Sequence, residues 1–425
     1  MQGDRLTSRS GAPARHRHGM RPSRPARAGH RWLRAAAPAF LLLVAAACSG
    51  AGGDGRTAET VRPAYPDDGR LRLNMIQVVG THNSYHVRPP EQVQRAMDQV
   101  VPGLSTFFDY EHVPLTEQLE RLGVRQFELD VFADPEGGLF ARRKAYAAAG
   151  LEEDAGIGEL SRPGFKVLHV QEIDPESNCW TLKSCLRELV AWSDRNPGHV
   201  PIMVLIEMKQ DPIPDPLSLG FVTPVPIGER ELDALDREIR EVVPRRKLLL
   251  PDDVRGGAAT LEDAVLRKGW PTLGETRGRL MFALDNGGDL MNTYMRGHPS
   301  LRGRVLFVGG VDPGTPEAAF VKLNDPLESK ERITRLVEDG YMVRTRTDTF
   351  PNADVTALRR QRDTAIASGA QWLSTDFPEP DTSRGHDYHV RLAGGRMVAC
   401  NPVSAPRYCS AEDVENPRFL KTRGI

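Results

Sequence analysis

The chain has 425 residues, 40% of them hydrophobic and 27% charged, a composition that excludes a disordered protein and supplies apolar material for a large core. The formal net charge is −1, but nine arginines and one acid fall within residues 1–48; removing them leaves 47 basic and 56 acidic residues, a body of net charge −9. Such a body excludes bulk nucleic-acid binding and electrostatic docking on anionic lipid, so any membrane contact must be specific or covalent.

Residues 1–48 read as an export signal. Basic residues ending in Arg31 and Arg34 precede the uncharged apolar run Ala35–Ala47, which is too short to span a bilayer as a stable helix. A start at Met20 would give a leader of ordinary length. The segment Val44-Ala45-Ala46-Ala47-Cys48 resembles a bacterial lipoprotein signal, with Cys48 as the lipidated residue. Because Ala45-Ala46-Ala47 also suits ordinary signal peptidase, the exported protein is expected to be either lipid-anchored at the cell membrane or secreted. Residues 49–70, rich in small residues and without apolar periodicity, read as a flexible tether, and residues 71–425 as a single catalytic domain.

Within that domain eight short apolar runs alternate with helical or loop-like segments: Met75–Val79, Gln126–Val131, Lys166–Val170, Ile202–Ile206, Leu280–Leu284, Val305–Val308, Tyr341–Val343 and Gln371–Ser374. Runs such as Val204-Leu205-Ile206 are nearly continuously apolar, as expected of parallel strands buried on both faces. Helical periodicity recurs between them, for example over Cys185–Asp194 and Ile333–Glu338. The α/β alternation predicts a (β/α)8 TIM barrel. A ninth run, Lys247–Leu250, reads as a helix end or an extra strand. The Pro-rich stretch Asp211–Pro226 follows the fourth strand, where a barrel places its catalytic face. Two cysteine pairs, Cys179 with Cys185 and Cys400 with Cys409, are spaced for local disulfides in an oxidising compartment, and no His or Cys cluster completes a zinc site.

Side chains at the C-terminal ends of barrel strands converge on one mouth. The first predicted strand ends in Gly80-Thr81-His82-Asn83-Ser84, the second carries Glu128-Leu129-Asp130, the third ends at His169, and the fourth in Glu207 with Lys209 beyond. Glu128 and Asp130 share one strand face and would repel unless a cation lies between them. With Asn83 and Glu207 they form an all-oxygen set of the kind preferred by Ca2+ or Mg2+. His82 and His169, expected on neighbouring strands, supply the proton acceptor and donor that phosphodiester transfer requires, and Lys209 is placed to contact phosphate. Arg344 and Asp376, at later strand ends, are further candidates for substrate hydroxyls or for a histidine partner. His86 and His112 read as loop residues, and Phe107, Phe108 and Tyr110 as an aromatic group near the mouth.

The stretches Ile76–His86, Pro114–Leu119, Phe127–Pro135, Gly164–Val170, Ala191–Asp194, Pro197–Ile202, Pro251–Gly256 and Ser374–Pro378 together resemble the bacterial calcium-dependent phosphatidylinositol-specific phospholipases C. The resemblance runs from about Asn74 to Asp381. It implies a distorted (β/α)8 barrel holding one Ca2+, with His82 and His169 as the catalytic histidines and Asn83, Glu128, Asp130 and Glu207 as calcium ligands. It further implies attack of the inositol 2-hydroxyl on its own 1-phosphate, releasing diacylglycerol and an inositol phosphate. The expected partner is a phospholipid headgroup at a membrane surface, with no nucleic acid and no obligate protein partner. Two rival readings remain at the level of sequence. A glycerophosphodiester phosphodiesterase shares the barrel and the Glu-x-Asp metal site, but normally has Arg-Gly after its first histidine where this chain has Asn83-Ser84. A non-catalytic surface lipoprotein could bind inositol lipids without cleaving them.

Overall fold

The computed structural model describes residues 64–349 and 353–422; the expected signal, Cys48 and the tether up to residue 63 lie outside the described residues. Among the described residues, ten strands form two five-stranded sheets. One runs β10 (Val398–Cys400), β1 (Ile76–Thr81), β9 (Trp372–Thr375), β8 (Met342–Arg346), β7 (Phe320–Lys322). The other runs β3 (Lys166–Val167), β2 (Gln126–Phe132), β4 (Ile202–Lys209), β5 (Leu280–Leu284), β6 (Leu306–Val308). All pairings except β3 on β2 and β10 on β1 are parallel.

The two sheets meet along β1 against β2 and along β6 against β7, so the ladder expected of a closed barrel is interrupted at two seams. Isolated hydrogen bonds cross them: the Ser84 amide donates to Glu128 O at 2.9 Å, and the Lys322 amide to Gly309 O at 2.9 Å. Gly80 lets β1 approach β2. A Cβ at that position would stand 2.2 Å from Gln126 Oε1, and that same oxygen accepts from Ser374 Oγ on β9 at 2.6 Å.

One of the sequence-predicted strands needs correction. Lys166–Val170 contributes only the two residues of β3, antiparallel to the edge of β2, because Lys166 is held by Asp134 at 3.0 Å and Leu168 turns into a small separate cluster with Phe132 and Phe140. The strand that takes its place among the parallel ones is the three-residue β7, too short to carry a readable period. The run Lys247–Leu250 closes a turn of 3-10 helix and forms a single parallel bridge from Leu248 to Leu280.

The helices follow their sequence signals. The helix Leu182–Arg195 starts at Thr181, whose Oγ1 accepts from the Ser184 amide at 3.1 Å, and buries Leu182, Leu186, Leu189 and Trp192, an i, i+4, i+7, i+10 stripe in the main core. The helix Pro326–Asp339 has Asp325 as its cap and ends at Gly340 with φ 110°, a left-handed stop that glycine adopts readily. Among the described residues no helix is long and apolar enough to cross a membrane.

The end of the molecule away from the C-terminal strand ends is closed by Arg277. Its guanidinium donates to both oxygens of Asp68 at 2.7 and 2.6 Å, to Gly198 O at 2.8 Å and to Val414 O at 2.9 Å, and lies 3.4 Å over the Tyr65 ring. Tyr65, Asp67 and Asp68 are buried. The packed body therefore begins before Leu71, and the last residues assigned to the tether belong to it. Both expected disulfides form, Cys179–Cys185 and Cys400–Cys409.

Candidate active site

The C-terminal ends of β1, β2, β4, β8 and β9 bring most of the singled-out residues together. Carboxylate oxygens of Glu128, Asp130 and Glu207 all lie within 4.8 Å of one another. Glu128 and Asp130 are buried, and burial pushes both carboxyls well up from their ordinary range, the expected result of crowding anions in a dry place. Beside them Asn83 adopts φ 44°, a left-handed conformation that asparagine tolerates better than most residues. Its Nδ2 donates to Tyr110 Oη at 2.7 Å, while its Oδ1 is buried without a hydrogen-bond partner, as is Asp130 Oδ1.

A buried oxygen without a partner calls for an ordered water or an ion, and here two of them stand within one acidic cluster. An amide oxygen and three carboxylates are the donor set of a hard divalent cation, so the residues present fit Ca2+. Lys209, expected to contact phosphate, pairs with two of these carboxylates. Its Nζ lies 3.0 Å from Asp130 Oδ2 and 3.1 Å from Glu207 Oε2. Burial draws the ammonium down, but the two carboxylates outweigh it and hold the group above its usual range. Arg344 is likewise a neighbour of the acidic cluster: only 1% exposed, it pairs with Glu128 and donates to Ser374 Oγ at 2.9 Å.

Each candidate catalytic histidine rests on a carboxylate. His82 Nδ1 lies 2.8 Å from Asp376 Oδ1; an ionised carboxylate can only accept, so Nδ1 carries the proton and the Nε2 lone pair is left free. That nitrogen is 3.7 Å from Glu128 Oε1. Burial, with Arg346 and Arg344 acting in the same sense, holds the imidazole neutral far below its ordinary range. Asp376 is itself fixed by Arg346 at 2.8 Å and, through its amide, by Asp348 at 2.9 Å.

His169 does not come from a barrel strand, as the sequence suggested, but from the excursion that follows β3. Its Nδ1 lies 2.6 Å from Asp174 Oδ2, the same oxygen that His86 Nε2 reaches at 2.8 Å. Asp174 is fully buried; burial raises its carboxyl, but the two histidines overcome this and hold it in the anionic form, below the usual carboxylate range. His86 is also buried and stacks on Tyr110 at 4.2 Å between ring centres. Asp174, Arg346 and His86 were not singled out as site residues; for Asp174 the signal was chemical, since a catalytic imidazole needs an orienting acceptor. A cavity of about 440 Å³ opens over His169, Glu207 and Lys209, walled by Asn286 and the start of the Pro-rich loop.

Residues 71–402 match the family described as phosphoinositide phospholipase C, Ca2+-dependent. Among solved structures the chain is similar to a calcium-dependent phosphoinositol-specific phospholipase C from a Gram-negative Pseudomonas species, at 18% identity and TM-score 0.46, over 80% of this chain and 99% of that one. It is similar at 18% identity and TM-score 0.44 to a Ca2+-dependent phosphatidylinositol-specific phospholipase C from Streptomyces antibioticus, over 72% and 95% of the two chains. A glycerophosphoryl diester phosphodiesterase from Parabacteroides distasonis is matched at 13% identity and TM-score 0.28, over 80% and 94%. No curated protein matches the chain significantly.

Proposed function

The chain belongs to the calcium-dependent phosphoinositide phospholipase C family, and from that premise we propose that it is an exported enzyme cleaving phosphatidylinositol or a related inositol phosphodiester. The observation that carries the reading is the presence of two histidine–aspartate couples, His82–Asp376 and His169–Asp174, flanking one all-oxygen acidic cluster. The eight strands that pair in parallel and the two abutting seams support a distorted (β/α)8 barrel as the scaffold.

Asn83, Glu128, Asp130 and Glu207 would hold one Ca2+, which when bound would offset charge on the phosphoryl group and acidify the attacking hydroxyl. The remaining chemistry belongs to the chain. His82, neutral and with Nε2 free, accepts the proton of the inositol 2-hydroxyl as its oxygen forms a bond to phosphorus. His169, seated on anionic Asp174, gives a proton to the diacylglycerol oxygen as the other phosphorus–oxygen bond breaks. The first phosphorylated product is then a cyclic inositol phosphate. The nucleophile is part of the substrate, so the protein need only align it. The partner is a phospholipid headgroup at a membrane surface, with no nucleic acid and no obligate protein partner, and the protein is lipid-anchored or secreted.

The test is phosphate release from phosphatidylinositol, phosphorylated inositides, glycerophosphodiesters and phosphatidylcholine, with and without chelator. Inositol lipids should be cleaved, and chelation should abolish cleavage. Activity on glycerophosphocholine alone would replace this reading with the glycerophosphodiesterase one. Lipid binding without any cleavage, unaffected by His82→Ala, would replace it with a binding protein.

A further inference from the structure

Next to the mouth lies a second cavity that the chemistry above does not use. Its volume is about 330 Å³, within the range of about 300–1,000 Å³ typical of small-molecule sites. Five segments wall it: the helix Glu91–Val100, the stretch 101–108 that follows it, the helix Lys144–Ala148, the turn 170–173 and the Pro-rich loop after β4. Every lining residue is apolar except Asp215, whose carboxylate turns back into its own loop to accept the Leu219 and Gly220 amides at 2.8 and 2.6 Å. The lining is not closed core: Val100, Val101 and Leu217 are 38%, 49% and 57% exposed.

The groove leads to the catalytic histidine. Val170 and Ile213 line both this cavity and the one over His169, and the Phe108 ring, also in the lining, meets the His169 ring edge-on at 5.5 Å. Resting on the proposed function, in which His169 protonates the diacylglycerol oxygen, this continuity makes the groove the place where the leaving group's tail runs. We infer that the groove binds one acyl chain of the phospholipid, so that the substrate is held by its tail as well as by its headgroup. The acidic body gives no electrostatic hold on an anionic lipid surface, and an apolar tail site supplies affinity that charge does not.

The experiment has a binding arm and a kinetic arm. With Ca2+ chelated, full-length protein is titrated with cis-parinaric acid, a fluorescent fatty acid; with Ca2+ present, it is assayed on monomeric dihexanoyl, diheptanoyl and dioctanoyl phosphatidylinositol and on tail-less glycerophosphoinositol. Saturable one-to-one binding is expected, weakened at least tenfold by the groove-filling Ala148→Trp and by the surface change Leu217→Asp. In wild type kcat/KM should rise by up to about fourfold per methylene entering the groove. Ala148→Trp should flatten that series, with the tail-less diester cleaved within about twofold of wild type. Phosphatidylinositol cleavage without saturable fatty-acid binding overturns the groove and leaves the phospholipase reading standing. Fatty-acid binding lost in both variants, with no inositol phosphodiester cleaved, overturns the phospholipase reading and supports the acyl site. Self-association abolished by Leu217→Asp, with fatty-acid binding unchanged, assigns the groove to a second copy of the chain and overturns the proposal.

Discussion

His82 can accept a proton at Nε2 only while Nδ1 keeps its own, and Asp376 at 2.8 Å is the group that keeps it there. Asp376→Asn preserves the shape but lets the ring adopt the other tautomer, so kcat should fall by about 10²–10⁴-fold with KM within about twofold, measured with unchanged circular dichroism. The acidic cluster makes a different claim. Asp130 carries a buried oxygen with no hydrogen-bond partner, while its other oxygen faces Lys209 at 3.0 Å, so a bound cation would add stability beyond that ion pair. Asp130→Asn should therefore abolish most of the Ca2+-induced rise in Tm; an undiminished rise in the variant would contradict the ligand assignment. At this scale the sequence was most informative where residue type and strand position coincided, as at His82, Asn83, Glu128, Asp130 and Glu207. It was silent on Asp174, which lies in an irregular loop five residues beyond His169, because loop residues carry no period that says which way they face. It did not show the ion pairs of Lys209, for a physical reason. Two residues on from Glu207 along β4 puts both side chains on one face, and the ammonium then reaches Glu207 and, across the strand pair, Asp130.

Strand legibility follows the same logic. Five- to eight-residue strands such as β2, β4 and β5 are buried along most or all of their length and were readable as apolar runs. The polar ends of β8, Arg344-Thr345-Arg346, are just as buried but look like loop, because their charges are satisfied by partners distant in sequence, Glu128 and Asp376. The two-residue β3 and three-residue β7 fall below the length at which alternation can be told from chance. The seam between β1 and β2 supplies a test of the architecture. Gly80→Ala would drive a methyl to within 2.2 Å of Gln126 Oε1 and disturb its bond to Ser374. The expected loss is about 1–3 kcal/mol in denaturant unfolding, and Gln126→Ala should not restore it, because the Cβ of residue 126, 2.4 Å from the new methyl, stays in place.

Across the whole molecule, acid sensitivity should trace to histidines that the fold keeps neutral. His199 is fully buried, its ring bonded to Ser193 and to Val200 O, and burial lowers it to about 3. In the unfolded chain it titrates near about 6.5. Its contribution is complete above the unfolded value and is lost as pH falls from there towards the folded one, at about 1.4 kcal/mol per pH unit. His199→Asn should accordingly flatten the fall in unfolding free energy between about pH 6 and pH 4, relative to wild type.

Arg277 has a consequence for resistance to proteases. By holding Asp68, Gly198 and Val414 at once, it ties stretches near both ends of the described residues to one point, so that neither stretch can loosen without the other. Arg277→Met would leave Asp68 buried and unpaired at a cost of about 3–5 kcal/mol. Limited proteolysis with an aminopeptidase and a carboxypeptidase should then shorten both ends of the variant together, under conditions in which the wild-type body keeps both.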